Sequence, residues 1–483
     1  MQKLLVTGSG ATKIKADVSD VYINNLLVDD DKATVVDGIR WSNANVTIKA
    51  GSPAPNKKNG GGDLIIKNIS GKNLSVKYNN PANQITSYIN SVQIESLEKT
   101  GQAPFKIKGL QIIGKDLLVF GNTLKVRTDE YEIAGNGYSF LSNVKVEQIK
   151  DRDSLNFSSP RINFNADIEN LSANDIHINT LSAETPVINI NKWNVSTASN
   201  NSAKKNSSIR IDKLTANQPT INIATYRNDS VSNIKMSKSP NGNISASGII
   251  LNNGNTSIGN LSVNTTSATI STKDGQILGV ENGKIDVVLS DLKFGRRNGK
   301  PFWSTIVNDL YIQKPNSVVL GKNKNKLNLE EIKLGNVNLS SEYVSNVDQL
   351  FKFNLNAWLR TATGQYVDSS LTLKWFNAEY NSSTKTFTLD SFNYRPTQPL
   401  DTFIARKKYS SDYITFHSGP INLTDFNLDK YSKDSSFIAG KLNITRPNIW
   451  IYRDKIKANE VGIYKPLPAA MIKKLGYLFL LQV

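Results

Sequence analysis

Apolar and polar residues alternate along most of this chain, and the alternation slips phase at recurring places. Ile209 and Ile211 are followed by Leu214 and Ala216, then by Ile221 and Ile223. Each group keeps the period of two that lines one face of a β-strand, but each is offset by one residue from the last. The stretch 176–190 repeats this with Ile176 and Ile178, Leu181 and Ala183, and Ile188 and Ile190. A straight strand would send these groups to alternating faces. A bulge at each slip returns them to one face and bends the strand. A two-residue hairpin is the other geometry, yet the gaps ET (184–185), NQ (217–218) and TR (445–446) lack the glycine that primed turns favour. The pattern therefore predicts long bent strands.

The slips belong to a repeated skeleton, Leu-x4-Pro-x-Ile-x-Ile. It stands at Leu181–Ile190, Leu214–Ile223 and Leu442–Ile451, and at Leu155–Phe164 with Phe for the last Ile. Two looser copies are Leu261–Ile270, with Thr266 for proline, and Leu310–Val319, with Ser317 for the first isoleucine. Proline at the second slip suits a bulge, because it has no N–H to offer a strand ladder. Pro447 then returns Ile449 and Ile451 to the apolar face and leaves Trp450 and Tyr452 on the other.

The same alternation predicts strands joined by turns in 63–78, 144–151, 268–294 and 371–392, with DG (274–275) and NG (282–283) as hairpin turns. Helical periodicity is rare. It is clearest in PAAMIKKLGYL (468–478), where Met471, Leu475 and Leu478 share a face, and weaker in 346–353. GSPAPNKKNGGG (51–62) and STASNNSAKKNSS (196–208) read as loop insertions. The second lies between two motif copies whose leucines are 33 residues apart, so it fits a loop within a repeat.

Composition narrows the chemistry. Apolar residues make up 39% of 483, which supports a folded chain with little excess core. No cysteine is present and only two histidines, His177 and His417, so thiol catalysis and histidine-rich metal sites drop out. Lys and Arg outnumber Asp and Glu by 58 to 41, a net charge of +17 that favours anionic partners. Neither terminus carries an apolar run of membrane-spanning length. The uncapped apolar end LGYLFLLQV suggests that the chain is a piece of something longer.

Candidate catalytic motifs fail on their chemistry. GLQIIGKD (109–116) nearly spells a phosphate loop, but Asp116 replaces the magnesium-binding hydroxyl and LQII is strand-like. DDDK (29–32) lacks the ligand spacing of a calcium loop. His417 lies close to Asp412 in sequence without a nucleophile elbow. These readings predict a non-enzymatic protein with no cofactor and no metal. LKFGRRNGKPFWSTI (292–306) mixes Arg296, Arg297, Lys300 and Trp303 with further basic and aromatic residues. It reads as a basic hairpin loop flanked by aromatics, or as a membrane-surface contact, with nucleic acid ranked below both.

The C-terminal third adds a resemblance. A strand ending in Tyr394-x-Pro396, an Asp401-x-Phe403 step, Asp412-Tyr-Ile, the Ile-Tyr-Arg-Asp-Lys run at 451–455 and Leu467-Pro468 follow in succession. Over about 390–475 this resembles the large AsmA-like proteins (AsmA/TamB type) of the Gram-negative cell envelope, relatives of bridge-like lipid-transfer proteins. The resemblance implies a curved, elongated sheet with an apolar concave side, phospholipid movement and outer-membrane homeostasis, and a periplasmic location with an inner-membrane anchor that this chain lacks.

Pattern and resemblance together predict an all-β fold of long bent, mostly antiparallel strands, forming an open groove, with one short C-terminal amphipathic helix. Three parts are expected: 1–150, a repetitive array over 151–388, and an AsmA-like block over 389–483. The expected partners are phospholipids or other acyl-chain lipids and an anionic membrane surface, with Ile188, Ile190, Leu214, Ile221, Ile223, Leu442, Ile449 and Ile451 lining the groove. Ordinary closed core is the competing role for those side chains. A cell-surface or structural β-repeat protein that binds glycans or host proteins is the alternative function.

Overall fold

The computed structural model describes residues 3–7, 12–28, 33–50, 63–100, 106–168, 175–193, 208–227, 230–252, 254–272, 275–298, 300–315, 318–320, 325–343, 358–426, 437–458 and 479–481. These residues are nearly all β, with one short helix, Leu400–Arg406. The helix predicted over 468–478, the weaker one at 346–353, the loop insertion 51–62, all but the last residue of 196–208, and DDDK (29–32) lie outside them. Two compact units emerge, one made of 1–231 and 242–257, the other of 232–241 and 258–483.

In the first unit, the strands Asp175–Glu184 and Val187–Trp193 are two halves of one bent strand. Both pair antiparallel with the single strand Asp153–Ala166, at Arg161↔Glu184 and Ser158↔Val187. A hairpin would have reversed the chain, so the bent-strand reading holds. The next motif copy lies beside the first in parallel, shifted by 33 residues throughout, with Leu214 on Leu181, Ile221 on Ile188 and Ile223 on Ile190. Prolines also stack on prolines at this shift. The ladder passes the kink through Thr185 N–H to Asn217 O (2.9 Å) and Thr220 N–H to Pro186 O (2.8 Å), so neither Pro186 nor Pro219 is asked to donate.

The two slips differ in kind. The first is a true bulge against Asp153–Ala166, where Ala166 pairs with Ile178 and Asn165 with Thr180. At the second, Thr185 and Gln218 take left-handed backbone, φ 39° and 50°, and the register on either side does not shift. The expected bulge is therefore a matched kink. A bulge sets two residues against one, whereas here the neighbouring strands bend at the same level.

That level forms a crease across the sheet. Asp116 (φ 53°) lies opposite Asp129, Asp129 opposite Asn143 (φ 49°), Asn143 opposite Pro160, and Pro160 opposite Thr185, with Gln218 alongside. Asn143 Nδ2 donates to Asp129 Oδ2 across it (3.1 Å). The buried Ser159 hydroxyl lies 2.8 Å from the carbonyl oxygens of both Arg161 and Glu184.

The second unit has its own crease. Asn377 (φ 49°) lies opposite Asp390, Asp390 opposite Pro420, and Pro420 opposite Thr445, next to Arg446 (φ 51°) and Pro447. Asn377 Nδ2 donates to Asp390 Oδ2 (2.7 Å). The strand pair Lys441–Ile444 and Asn448–Arg453 is thus one bent strand, as the motif predicts.

Two sequence readings need correction. NG (282–283) is not a hairpin turn, because the strand Gly275–Arg297 runs through it with Asn282 at φ 54°. The run 63–78 contains no turn either; it lies within one strand, Asp63–Asn79, with Asn68 and Asn73 at φ 53° and 54°. Asparagine tolerates left-handed backbone in a kink as well as in a turn, so its presence alone does not reverse a chain.

The kinks keep the apolar groups together. Val280 and Ile285 are an odd number of residues apart, yet both pack with Ile312 in one buried cluster, backed by Ala268, Val287, Leu310 and Ile332. Asn282 supplies the flip between them. Replacing it with valine, which is costly at positive φ, is expected to lower unfolding stability by roughly 1–2 kcal/mol. Asn282→Gly should leave it unchanged or raise it. Denaturant titration of the three proteins checks the order.

Candidate functional site

Directly paired residues share a face of a sheet, and so do alternate residues along a strand. Following the registers through the second unit therefore assembles a single face. It runs from Ile234 and Met236 through Ala268, Val280, Ile312 and Ile332 to the strands around Trp375. Beyond them it takes in Phe392, Phe416, Ile449 and Ile451. These are apolar, with Thr361 and Ser418 between them on the same face. The opposite face carries Lys284–Asp286, Lys333–Glu331 and Arg360–Glu379 ion pairs at 2.7, 2.8 and 2.6 Å.

On the apolar face lies a cavity of about 330 Å³, lined by Leu359, Thr361, Trp375, Ala378, Tyr380, Phe387, Leu389 and Phe392, with Glu379 at its margin. Trp375 and Ala378 differ in parity and flank Asn377; Leu389 and Phe392 differ in parity and flank Asp390. The crease is what brings both sets to one wall. The polar atoms are already engaged: Trp375 Nε1 donates to Thr361 Oγ1 (3.0 Å), and Arg360 holds the Glu379 carboxylate through Nε and Nη2. Tyr380 meets Phe426 edge to face at 6.2 Å, and burial pushes its phenol pKa up. Such a wall offers contact to alkyl or aromatic groups and makes no demand for a charged one.

Trp375 is held flat by its neighbour. Gly364 lies directly opposite, and a Cβ there would overlap the indole ring. Trp41 over Gly71, Tyr131 over Gly114 and Trp358 over Gly335 repeat this pairing of an aromatic with a glycine.

The eight predicted lining residues fall into two groups. Ile188, Ile190, Leu214, Ile221 and Ile223 come together in the first unit as cross-strand partners, all half-buried, with Leu155, Phe157 and Ala246 paired to them. Leu442, Ile449 and Ile451 come together in the second unit, on the face that holds the cavity. Ile449 and Ile451 are 61% and 59% exposed, which no closed core would leave them. The cavity residues themselves were not singled out from sequence. The signal was present in LTLKWFNAEY, where Leu371, Leu373 and Trp375 slip phase at Asn377 to Ala378 and Tyr380.

Arg296, Arg297, Lys300 and Trp303 meet at one hairpin, where Phe294 pairs with Trp303 and Arg297 with Lys300. Residues 111–116 lie in the strand Gln111–Gly121, and His417 Nδ1 lies 2.6 Å from Asn393 Oδ1 while Asp412 binds Arg453. Among the described residues no cluster of His, Asp or Glu is arranged to hold a metal ion, and no helix is long and apolar enough to cross a membrane. Comparison with family models, curated proteins and solved structures finds no match to this chain.

Gly364→Val is expected to lift Trp375 off its glycine, cost roughly 1–3 kcal/mol of stability and shift tryptophan emission to the red. Gly137→Ala, in the Tyr138 turn region of the first unit, serves as the control that leaves emission unchanged. A spectrophotometric titration should show several phenols ionising above the usual tyrosine range, Tyr131, Tyr311 and Tyr343 among them, with one fewer in Tyr380→Phe. Because the folded-state pKa is raised, the stability linked to Tyr380 is fully present below its unfolded value. It is lost as pH rises through the folded one.

Proposed function

We propose that this chain is a non-enzymatic lipid-binding protein whose apolar sheet face folds along its creases into an open groove for acyl chains. In this it would act in the manner of the AsmA-like envelope proteins it resembles, supporting phospholipid movement at a Gram-negative outer membrane. The observation that carries the reading is the apolar face that remains half open. Large side chains such as Leu359, Ile444, Ile449 and Ile451 are 39–61% exposed on it, and an aromatic-walled cavity lies at the crease. A soluble protein rarely leaves so long an apolar face without an occupant.

The energetics suit a sliding tail. A cavity near 150 Å³ takes benzene, so 330 Å³ holds roughly a dozen carbons of a chain. At about 0.8 kcal/mol per buried methylene, those carbons gain on the order of 10 kcal/mol before the cost of immobilisation. None of that gain depends on direction along the chain, so a tail could move from one stretch of the face to the next.

Solvent extraction of the purified protein followed by mass spectrometry should recover phospholipid. Phe392→Asp, which puts a charge on the cavity wall, should recover markedly less while remaining folded by circular dichroism. Lipid-free protein that instead binds glycans would sink the proposal and favour an adhesive β-repeat protein.

A further inference from the structure

The hairpin that ends the strands Gly275–Arg297 and Lys300–Pro315 combines three features at one place. It reaches past its neighbour: the strand Glu331–Ser340 pairs with it only as far as Ser304↔Ser340, closed by Ser341 N–H to Trp303 O (2.9 Å) and Trp303 N–H to Ser341 Oγ (3.1 Å). Among the described residues, 295–298 and 300–302 extend beyond that point.

Its aromatic pair continues the apolar face. Trp303 keeps the parity of Thr305 and Val307, and Val307 pairs with Leu289 and Val337 on that face. Phe294 lies opposite Trp303 and is 46% exposed. The apolar face thus runs out to the hairpin and ends in one bare ring and one half-buried indole.

Its charge is of one sign at the tip. Lys293, Arg296 and Lys300 are all exposed. Arg297 is anchored instead, donating to both oxygens of Glu342 (3.2 and 3.1 Å) and lying 5.4 Å over the Phe302 ring. That contact stiffens the tip and covers Phe302, which lowers its value as a base-stacking platform for nucleic acid.

We infer that this hairpin docks on an anionic lipid surface, with Arg296 and Lys300 at the phosphates and Phe294 and Trp303 at the headgroup–acyl boundary. Tryptophan favours that boundary, and basic residues near an anionic leaflet are attracted to it. The inference rests on the acyl-binding reading for its purpose, since it places a membrane beside the rim of the apolar face, but not for its chemistry.

The test is co-sedimentation of the full chain with large vesicles of phosphatidylglycerol and phosphatidylcholine, against phosphatidylcholine alone. Each surface cation is worth about fivefold in partitioning. R296A/K300A should therefore weaken binding to the anionic vesicles roughly 25-fold, and F294S should weaken it further at high salt, where the charge contribution is screened. Unchanged partitioning of R296A/K300A, or equal binding to both vesicle types, would overturn the inference. So would binding to an RNA oligonucleotide with no binding to vesicles. Lipid extracted from the same variants separates the two claims. Normal co-purified lipid with vesicle binding indifferent to the hairpin removes the docking site alone. Lipid-free protein that still docks through Arg296 and Lys300 removes the acyl-binding reading alone.

Discussion

The period of two is the constraint from which the rest follows. A strand in a one-layer sheet must put its apolar residues on one side, yet this chain repeatedly changes their parity. A left-handed residue at the slip turns the following segment over and restores it to the same side, at roughly 1–2 kcal/mol each for an ordinary residue and less for Asn or Asp. Val280 with Ile285, and Trp375 with Ala378, show the restoration directly. Such a kink cannot stand alone, because a neighbour that stayed straight would lose register. The kinks therefore align from strand to strand, and the Asn and Asp side chains that permit them also bridge it, as Asn143 does to Asp129 and Asn377 to Asp390.

This explains why the repeated skeleton was legible and its stacking was not. Its proline marks the crease in all four close copies: Pro160, Pro186, Pro219 and Pro447 each lie at or beside a matched kink. Phase slips and a missing N–H are local properties, so sequence carries them. Whether Asn68 or Asn282 kinks a strand or ends it depends on what the adjacent strand does, and that is not local. Asn-Gly at 282–283 satisfies both geometries equally well. The parallel 33-residue stagger is likewise a property of two copies together, visible in Asn222 donating to Asn189 (2.8 Å) and Tyr226 stacking on Trp193 (4.1 Å). The cavity wall went unnoticed because its slip at Asn377 carries no proline.

The two faces are built for different ends. Ion pairs such as Lys284–Asp286 and Arg360–Glu379 lie on the polar side with their side chains 26–52% exposed, where each is worth little in stability. Their value is in register: a one-residue slip would carry every charge to the apolar side. Glycine under tryptophan, at Gly364 and Gly335, serves the same end by fixing which residue can lie opposite which. The sheet gains definition from both and core from neither, which accords with the small size of its buried cluster.

The residues around the helix Leu400–Arg406 show how the two sides of one strand are treated differently. The helix Leu400–Arg406 packs Phe403 edge to face on Tyr413 (5.3 Å), and Tyr413 in turn meets Trp450 (6.0 Å). Lys457 Nζ donates to the carbonyls of Ile404 and Lys407 and so caps the helix C-terminus, while Asp412 and Arg453 lock the strand pair beneath. Tyr413 is buried as a result, at 8% exposure, although it lies on the side that is polar elsewhere. One residue along, Ile414 pairs with Ile451 and Phe416 with Ile449 on the apolar side. A fold seeking only stability would place its one described helix over those isoleucines, where burial gains most. Here the helix covers Tyr413 on the other side and leaves Ile449 and Ile451 open.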